Sequence, residues 1–440
     1  MRSVIFSFVL LASLSSVTIA QDAKEKAFVA RARQFFDLLE AKKYDECLTL
    51  CDSSLIKVLP AEKIKQNWEP IRASMGKMLE RTGELYEDKK SYVLVYVGAK
   101  YEKEAMDLKI AFNPQMKIIG FFKNAPMSKS AYHLPTYARP DRTVEEPITI
   151  VTDSFKLPGI LCLPKGVAHP PVVVMVAGSG PNDRDETVGQ NKPFKDIAYG
   201  LAAVGIASIR YDKRTMVYGA TSSSSPNGVT PDDEVVNDAL SALKLARANA
   251  ALDPKKIFVL GHSLGAMMAP RIAERDGHLS GVIMLAAPAR PFQDVLLDQM
   301  EFLLPQQTTP ENAKTQLEHI RSMVETISKH AYTASTPPAQ LFGLPPAYWE
   351  YLSKYDQVNT AVSLREPILY LQGGKDYQVN IKDFSVWQRK FGAKQNAELK
   401  LFGTLYHLFM PGKGTFTDYD VPGNVSEDVV AAIVSWIKRQ

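Results

Sequence analysis

Three kinds of hydrophobic pattern follow one another along the chain. Val4 to Leu14 is a mostly apolar run behind Arg2, and Thr18-Ile19-Ala20 sets small residues at the −3 and −1 positions of a cleavage site before Gln21. So short a run behind a basic residue reads as a signal peptide over residues 1–20, not as a membrane span of about 20 apolar residues. From Lys24 to Ala41, Phe28, Val29, Phe35, Phe36, Leu38 and Leu39 recur at helical spacing and predict an amphipathic helix. A second helical stretch runs from Pro60 to about Leu79. The period then drops to two. Tyr92 to Tyr101 is rich in β-branched and aromatic residues, and Met106, Leu108, Ile110 and Phe112 alternate with Asp107, Lys109 and Ala111. After the turn signal Asn113-Pro114-Gln115, Lys117 to Phe122 is another strand. Helices followed by an antiparallel meander predict a small α+β domain over residues 21–125.

Residues 126–145 carry Pro126, Pro135 and Pro140 among charged residues and read as an extended linker. Beyond it strands and helices alternate. Leu157–Leu163, the continuous apolar run Pro171–Ala177, Ile206–Tyr211, Ile257–Leu260, Val282–Ala286, Ile368–Gln372 and Ala397–Leu401 are expected strands. Lys195–Ala203, Thr230 to about Ala248, Leu264–Arg275 and Val425–Lys438 are expected helices. That order predicts an α/β domain with a mainly parallel sheet over residues 146–440. Between about 291 and 364 amphipathic helical patterns replace the strand signal, which predicts a helical insertion capping the strand ends.

Composition narrows the function classes. A chain of 440 residues with 45% hydrophobic and 23% charged residues is neither disordered nor a polytopic membrane protein. A net charge of +4, evenly scattered, points to neither nucleic acid nor an anionic membrane as partner, and no stable membrane insertion is expected. Cys47, Cys51 and Cys162 cannot form a disulfide framework and read as small core or free thiols. No cysteine sits at the cleavage point to carry a lipid, so the leader implies a periplasmic or secreted protein. Oligomeric state is open at this level.

The strongest chemical motif is Gly261-His262-Ser263-Leu264-Gly265, entered directly by a strand and left directly by a helix. This is the context of a nucleophile elbow, in which the serine sits on a turn too tight for bulky neighbours, beside free N–H groups of a helix N-terminus. A serine hydroxyl needs a base. With the order serine, acid, histidine, His133 and His169 come too early and His262 lies inside the elbow. His278 follows a helix end, and His319 and His330 fall in the insertion. His407, in a loop after a late strand, remains as the base. The acid is expected after the preceding strand, where Gly373-Gly374-Lys375-Asp376 follows Ile368–Gln372, so Asp376 is chosen with Asp383 as its rival. The oxyanion donors are expected to be the N–H of Leu264 and, from the loop Gly178-Ser179-Gly180-Pro181, that of Ser179 with Gly180 next. Asp183 stands where a dinucleotide-binding loop needs its third glycine. Gly373-Gly374-Lys375 lacks the spacing of a phosphate loop, and no Cys/His cluster or H-E-x-x-H occurs. No metal or other cofactor is implied.

These residues carry two resemblances. Through helix–strand order and the pattern Asp107-Leu108-Lys109 … Ile118-Ile119-Gly120-Phe121, about a hundred N-terminal residues resemble the DUF3887 type of nuclear-transport-factor-2-like domain. Residues from about 145 to 440 resemble bacterial α/β-hydrolases of the esterase, serine aminopeptidase S33 and dienelactone-hydrolase-like sets. The matching residues are Ala177 to Thr187 (A-G-S-G-P-N-D-R-D-E-T), Arg210-Tyr211-Asp212-Lys213-Arg214, the elbow, Gly373 to Asp376, and His407. The resemblance implies hydrolysis of carboxylic esters, commonly of short acyl chains, on a small-molecule substrate and without a cofactor. A serine aminopeptidase or thioesterase with the same triad, or a ligand-binding protein with an idle hydrolase fold, are the alternatives. Asp183, Arg184, Asp185, Asp212, Lys213 and Arg214 either brace the oxyanion loop by ion pairs or touch the substrate. Tyr377 and Tyr406 adjoin the acid and the base and are taken as substrate-binding candidates, with packing around the triad as the alternative.

Overall fold

The computed structural model describes residues 8–88, 92–124 and 132–440, apart from 224, 226, 227 and 393. The chain divides into two units, Met1–Ala131 and Tyr132–Gln440. Residues 1–7 of the expected leader lie outside the described residues, and from Phe8 the backbone is helical to Glu40.

In the first unit the buried face of that helix is the one its periodicity predicts: Phe28, Ala32, Phe35, Phe36 and Leu39 are in the core. They join Trp68 of the helix Ala61–Met75 and one face of a four-stranded antiparallel meander. The strands are β1 (Met78–Asp88), β2 (Val93–Tyr101), β3 (Ala105–Phe112) and β4 (Ile118–Asn124), paired in chain order. β1 departs from the expected helix through Leu79. The helix stops at Gly76, whose φ of 84° a side chain would resist. Two register shifts against β2, at Met78/Glu80 and Arg81/Gly83, then break the period of two by which a strand is recognised. Cys47 and Cys51 are free and buried here, as is Cys162 in the second unit.

The second unit begins earlier than expected. Tyr132 and Tyr137, within the expected linker, bond into this unit: Tyr132 Oη to Asp196 at 2.5 Å and Tyr137 Oη to the carbonyl of Val425 at 2.8 Å. The linker reading therefore fails for 132–145, and 125–131 lie outside the described residues. The sheet has eight strands: β5 (Thr143–Thr152), β6 (Phe155–Pro164), β7 (Val172–Val176), β8 (Ala207–Tyr211), β9 (Ile257–His262), β10 (Gly281–Leu285), β11 (Ile368–Gly373) and β12 (Ala397–Phe402). Their order is β12-β11-β10-β9-β7-β8-β6-β5. β8 to β12 and β7 run parallel, and β5 and β6 form an antiparallel hairpin at one edge. The sequence reading missed β5. Its Pro147 and paired glutamates fit an edge strand, where a missing N–H costs no ladder bond. The two central apolar runs, β7 and β9, are buried throughout, as strands covered on both faces must be. The insertion is helical as expected, with helices Phe292–Gln307, Pro310–Ser328, Pro346–Lys354 and Gln357–Ser363.

Asp196 is fully buried, and burial pushes its carboxyl up to about 6 despite bonds from Tyr132, Val425 and Asn424. Removing one of its donors should therefore be felt. Tyr132→Phe is expected to lower the stability of a 132–440 fragment by about 1–2 kcal/mol, and a fragment beginning at Arg139 should lose more. Urea midpoints equal to that of the 132–440 fragment would show that these tyrosines contribute nothing.

Candidate active site

The centre of the site is a steric problem solved with glycine. β9 ends at His262 and the helix Leu264–Asp276 begins two residues later, so Ser263 alone makes the turn, at φ 52° and ψ −117°. A non-glycine residue held there stores roughly 1–3 kcal/mol of backbone strain. The turn closes because nothing projects from its neighbours. A Cβ on Gly261 would lie 2.2 Å from the carbonyl oxygen of Gly265, and one on Gly265 would lie 2.1 Å from that of Val176 on β7. The Ser263 N–H is used by the Leu285 carbonyl of β10 at 2.9 Å. Leu264 opens the helix, so its N–H has no intrahelical acceptor.

His407 and Asp376 meet from separate loops. His407 Nδ1 lies 2.7 Å from Asp376 Oδ2, with both side chains buried. The other carboxylate oxygen accepts the N–H groups of Gln378 at 2.8 Å and Val379 at 3.0 Å, so the acid is fixed before it meets the histidine. Gly373 and Gly374 let the two loops touch. A Cβ on Gly373 would lie 2.5 Å from the Leu405 carbonyl oxygen, and one on Gly374 would lie 2.8 Å from Gly403 Cα. The pair reaches the elbow through His262, whose ring centroid is 4.5 Å from that of His407 and whose Nε2 is 2.9 Å from the His407 carbonyl oxygen. With Nδ1 facing Asp376, Nε2 of His407 is the nitrogen left to take a proton. Asp383, the rival acid, is elsewhere: it accepts the N–H groups of Ala289 and Arg290 and pairs with the Arg290 guanidinium at 2.7 Å.

The loop after β7 is clamped at Gly178. Its N–H donates to Glu186 Oε1 at 2.6 Å, and its carbonyl accepts from Lys213 Nζ at 2.7 Å and Asn182 Nδ2 at 3.0 Å. A trans peptide points C=O and N–H to opposite sides, so the Ser179 N–H faces away from the lysine. Asn182 Nδ2 also reaches the Ser179 carbonyl, and Thr215 Oγ1 the Gly180 carbonyl. A Cβ on Gly178 would lie 3.1 Å from Ser263 Cβ, which puts the loop beside the serine. Lys213 is itself buried and pairs with Glu234 at 2.5 Å, and Glu234 accepts from Tyr348 Oη of the insertion at 2.8 Å.

The charged residues of the G-S-G-P-N-D-R-D and R-Y-D-K-R blocks pair with protein groups. Arg184 grips Asp212 with two bonds, Asp185 pairs with Arg210 and Lys192, and Arg214 pairs with the buried Asp238. Asp183 binds the N–H and Oγ1 of Thr187. Their role is therefore bracing. Tyr377 is half-buried and stacks on Phe302 of the insertion at 4.4 Å between centroids. Tyr406 differs from the expectation of substrate contact. It is 2% exposed, packs edge-on against Tyr419 and turns its hydroxyl to Met410 Sδ, because the base loop needs a core of its own. Lys213 was expected as one of several bracing charges and is found clamping Gly178, but sequence reasoning gave no role to Glu186 or Glu234. Their partners come from distant segments, and the only local signal was the place of Glu186 at the end of the G-S-G-P-N-D-R-D-E block.

Two substitutions probe these constraints. Gly265→Ala brings a Cβ against main-chain atoms that no rotamer change can move, and is expected to cost more than about 3 kcal/mol or abolish soluble expression. Lys213→Met leaves Glu234 buried without its counter-charge and is expected to cost about 3–5 kcal/mol. Thermal melts within a few degrees of wild type would contradict the close approach at Gly265 for the first variant and the Lys213–Glu234 clamp for the second.

Comparison with known proteins assigns the chain to a family. The profile of the family described as "Protein of unknown function (DUF3887)" matches residues 32–121, and that of "Serine aminopeptidase, S33" matches residues 190–412. Esterase EstD of Thermotoga maritima is 34% identical over 417 residues, covering 94% of this chain and 96% of its own. Matching solved structures include Est1E from Butyrivibrio proteoclasticus, at 14% identity over 67% of this chain and 99% of that one, with a TM-score of 0.44. Pyrococcus furiosus esterase Pf2001 matches at 16% identity over 71% and 97%, with a TM-score of 0.41. With a relative of this identity along nearly its whole length and the S33 profile over half of it, the chain belongs to the α/β-hydrolase family, among the carboxylic ester hydrolases that EstD represents.

Proposed function

We propose that this ester hydrolase works through an acyl-enzyme on Ser263, on small carboxylic esters with short acyl chains. The observation that carries the reading is the buried His407–Asp376 pair at 2.7 Å, joined through His262 to a strained serine elbow. Ser263 Oγ attacks the ester carbonyl while His407 Nε2 takes its proton, and Asp376 holds the ring by Nδ1–H and stabilises the imidazolium. The tetrahedral oxyanion is met by the N–H of Leu264 and by the N–H of Ser179, with that of Gly180 next to it. His407 returns the proton to the leaving alcohol, and water enters by the reverse path. Tyr377 and Phe302 are proposed to line the acyl side of the cleft.

Amide cleavage is the second reading, and one observation favours it. An α-ammonium group needs a desolvated carboxylate. In the insertion Asp298, Glu301, Glu325 and Glu350 each pair with a base, and Glu318 is exposed. Asp294 is half-buried with no ion pair among the described residues, and burial pushes its carboxyl up. An amine leaves less readily than an alcohol and demands closer alignment of His407, so esters rank first.

The leader over residues 1–20 supports export to the periplasm or medium, and the unit matched by DUF3887 is proposed to be a nuclear-transport-factor-2-like accessory domain. N-terminal sequencing of exported protein should read from Gln21, and an intact N-terminus would overturn the leader.

Ser263→Ala is expected to abolish both turnover and labelling by an active-site phosphonate. His407→Ala should lower kcat at least about a thousandfold. Residual labelling without Ser263, or activity of the histidine variant within about tenfold of wild type, would reject the assignment. For substrate class, kcat/KM for an acyl p-nitrophenyl ester should exceed that for an aminoacyl p-nitroanilide. A nitroanilide preference that is lost on acetylating the amine and on Asp294→Asn would establish the aminopeptidase reading instead.

A further inference from the structure

The protons on His262 do not balance unless the ring shares one with Glu186. Nε2 lies 2.9 Å from the main-chain oxygen of His407, and a carbonyl oxygen can only accept, so Nε2 carries a hydrogen. Nδ1 lies 3.0 Å from Glu186 Oε1, the oxygen that also accepts the Gly178 N–H. A neutral ring would therefore turn its Nδ1 lone pair onto a carboxylate oxygen. Both residues are buried, His262 at 4% and Glu186 at 3% exposure, where water screens such a repulsion poorly. The approach is a charge contact off the line of an aligned hydrogen bond, and Glu186 Oε2 has no hydrogen-bond partner among the described residues. A carboxylate left so under-satisfied is stabilised by a cation beside it.

We propose that Glu186 and His262 are a positioning pair that holds one proton between them and ties both the oxyanion loop and the base loop to the elbow. Glu186 acts through the Gly178 N–H and His262 through the His407 carbonyl, so neither touches the reacting atoms. The inference rests on the acyl-enzyme reading above. Three groups face the ring: Glu186 from the loop after β7, Asp376 from the loop after β11, and His407 from the base loop, with Phe409 packed edge-on. Burial disfavours the imidazolium. The charge of Glu186, the His407 carbonyl and the charge of Asp376 outweigh it and hold His262 above the usual histidine range. The sign follows from that direction. The cation is present below the raised pKa and lost as pH rises through it.

The experiment is the pH dependence of kcat and kcat/KM for a p-nitrophenyl ester, with full-length wild type, Glu186→Gln and His262→Gln. Glutamine at 186 keeps an acceptor for Gly178 but removes the charge. Wild type should show an alkaline descending limb from loss of the shared proton. Both variants should lose that limb and lower kcat by about ten- to a hundredfold, with KM within about threefold. Profiles unchanged in shape would overturn the proposal. If the variants do not fold, 15N-histidine spectra of the wild type decide. One ring protonated on both nitrogens at neutral pH is expected, and its absence would overturn the pair. Ser263→Ala separates this from the underlying reading. An active Ser263→Ala rejects the acyl-enzyme, whereas a dead one beside unchanged Glu186→Gln and His262→Gln profiles rejects the positioning pair alone.

Discussion

Main chain packed against main chain at the end of β9 is the contact on which the rest of the site depends. Gly265 lies so close to Val176 on β7 that a Cβ would sit 2.1 Å from its carbonyl oxygen. That approach is what allows a strand to reverse into a helix within one residue and leaves Ser263 at positive φ. The strain is held because the sheet on both sides cannot move: β7 and β10 flank β9, and the Leu285 carbonyl takes the Ser263 N–H. A buried sheet with covered faces is close-packed and rigid, and it converts a costly backbone geometry into a fixed one.

Around that turn the polar groups are arranged to orient one another. Gly178 is held at its N–H by Glu186 and at its carbonyl by Lys213. Lys213 is balanced by Glu234, which reaches Tyr348 in the insertion, so the oxyanion loop and the insertion share one buried chain of bonds. Such a network costs desolvation and gives little net stability, but losing one member leaves an uncompensated charge. What it supplies is direction: the N–H groups proposed to meet an oxyanion are fixed before any substrate arrives. The acid loop follows the same logic, with two main-chain N–H groups on Asp376 Oδ1 fixing Oδ2 for His407.

The insertion meets the body through side chains whose polar groups are satisfied there. Tyr351 donates to Asp232 and Tyr355 to the Met267 carbonyl. The Tyr377–Phe302 stack differs in that both rings are only half-buried.

By itself the sequence determined the local features. The elbow was legible because two glycines, a strand and a helix adjoin one serine, and Asp376 and His407 because chain order and elimination leave few candidates. Most strands could be read because each keeps its own periodicity. The tertiary structure decided what depends on distant partners. β1 is a strand only because β2 pairs with it across two bulges, and β5 only because an edge tolerates its proline and charges. Tyr406 looks like a substrate residue beside His407, yet the packing of the base loop turns it inward. Lys213 was legible only as one of several bracing charges, and Glu186 and Glu234 not as partners at all, since the energy of a buried charge is set by what folds against it.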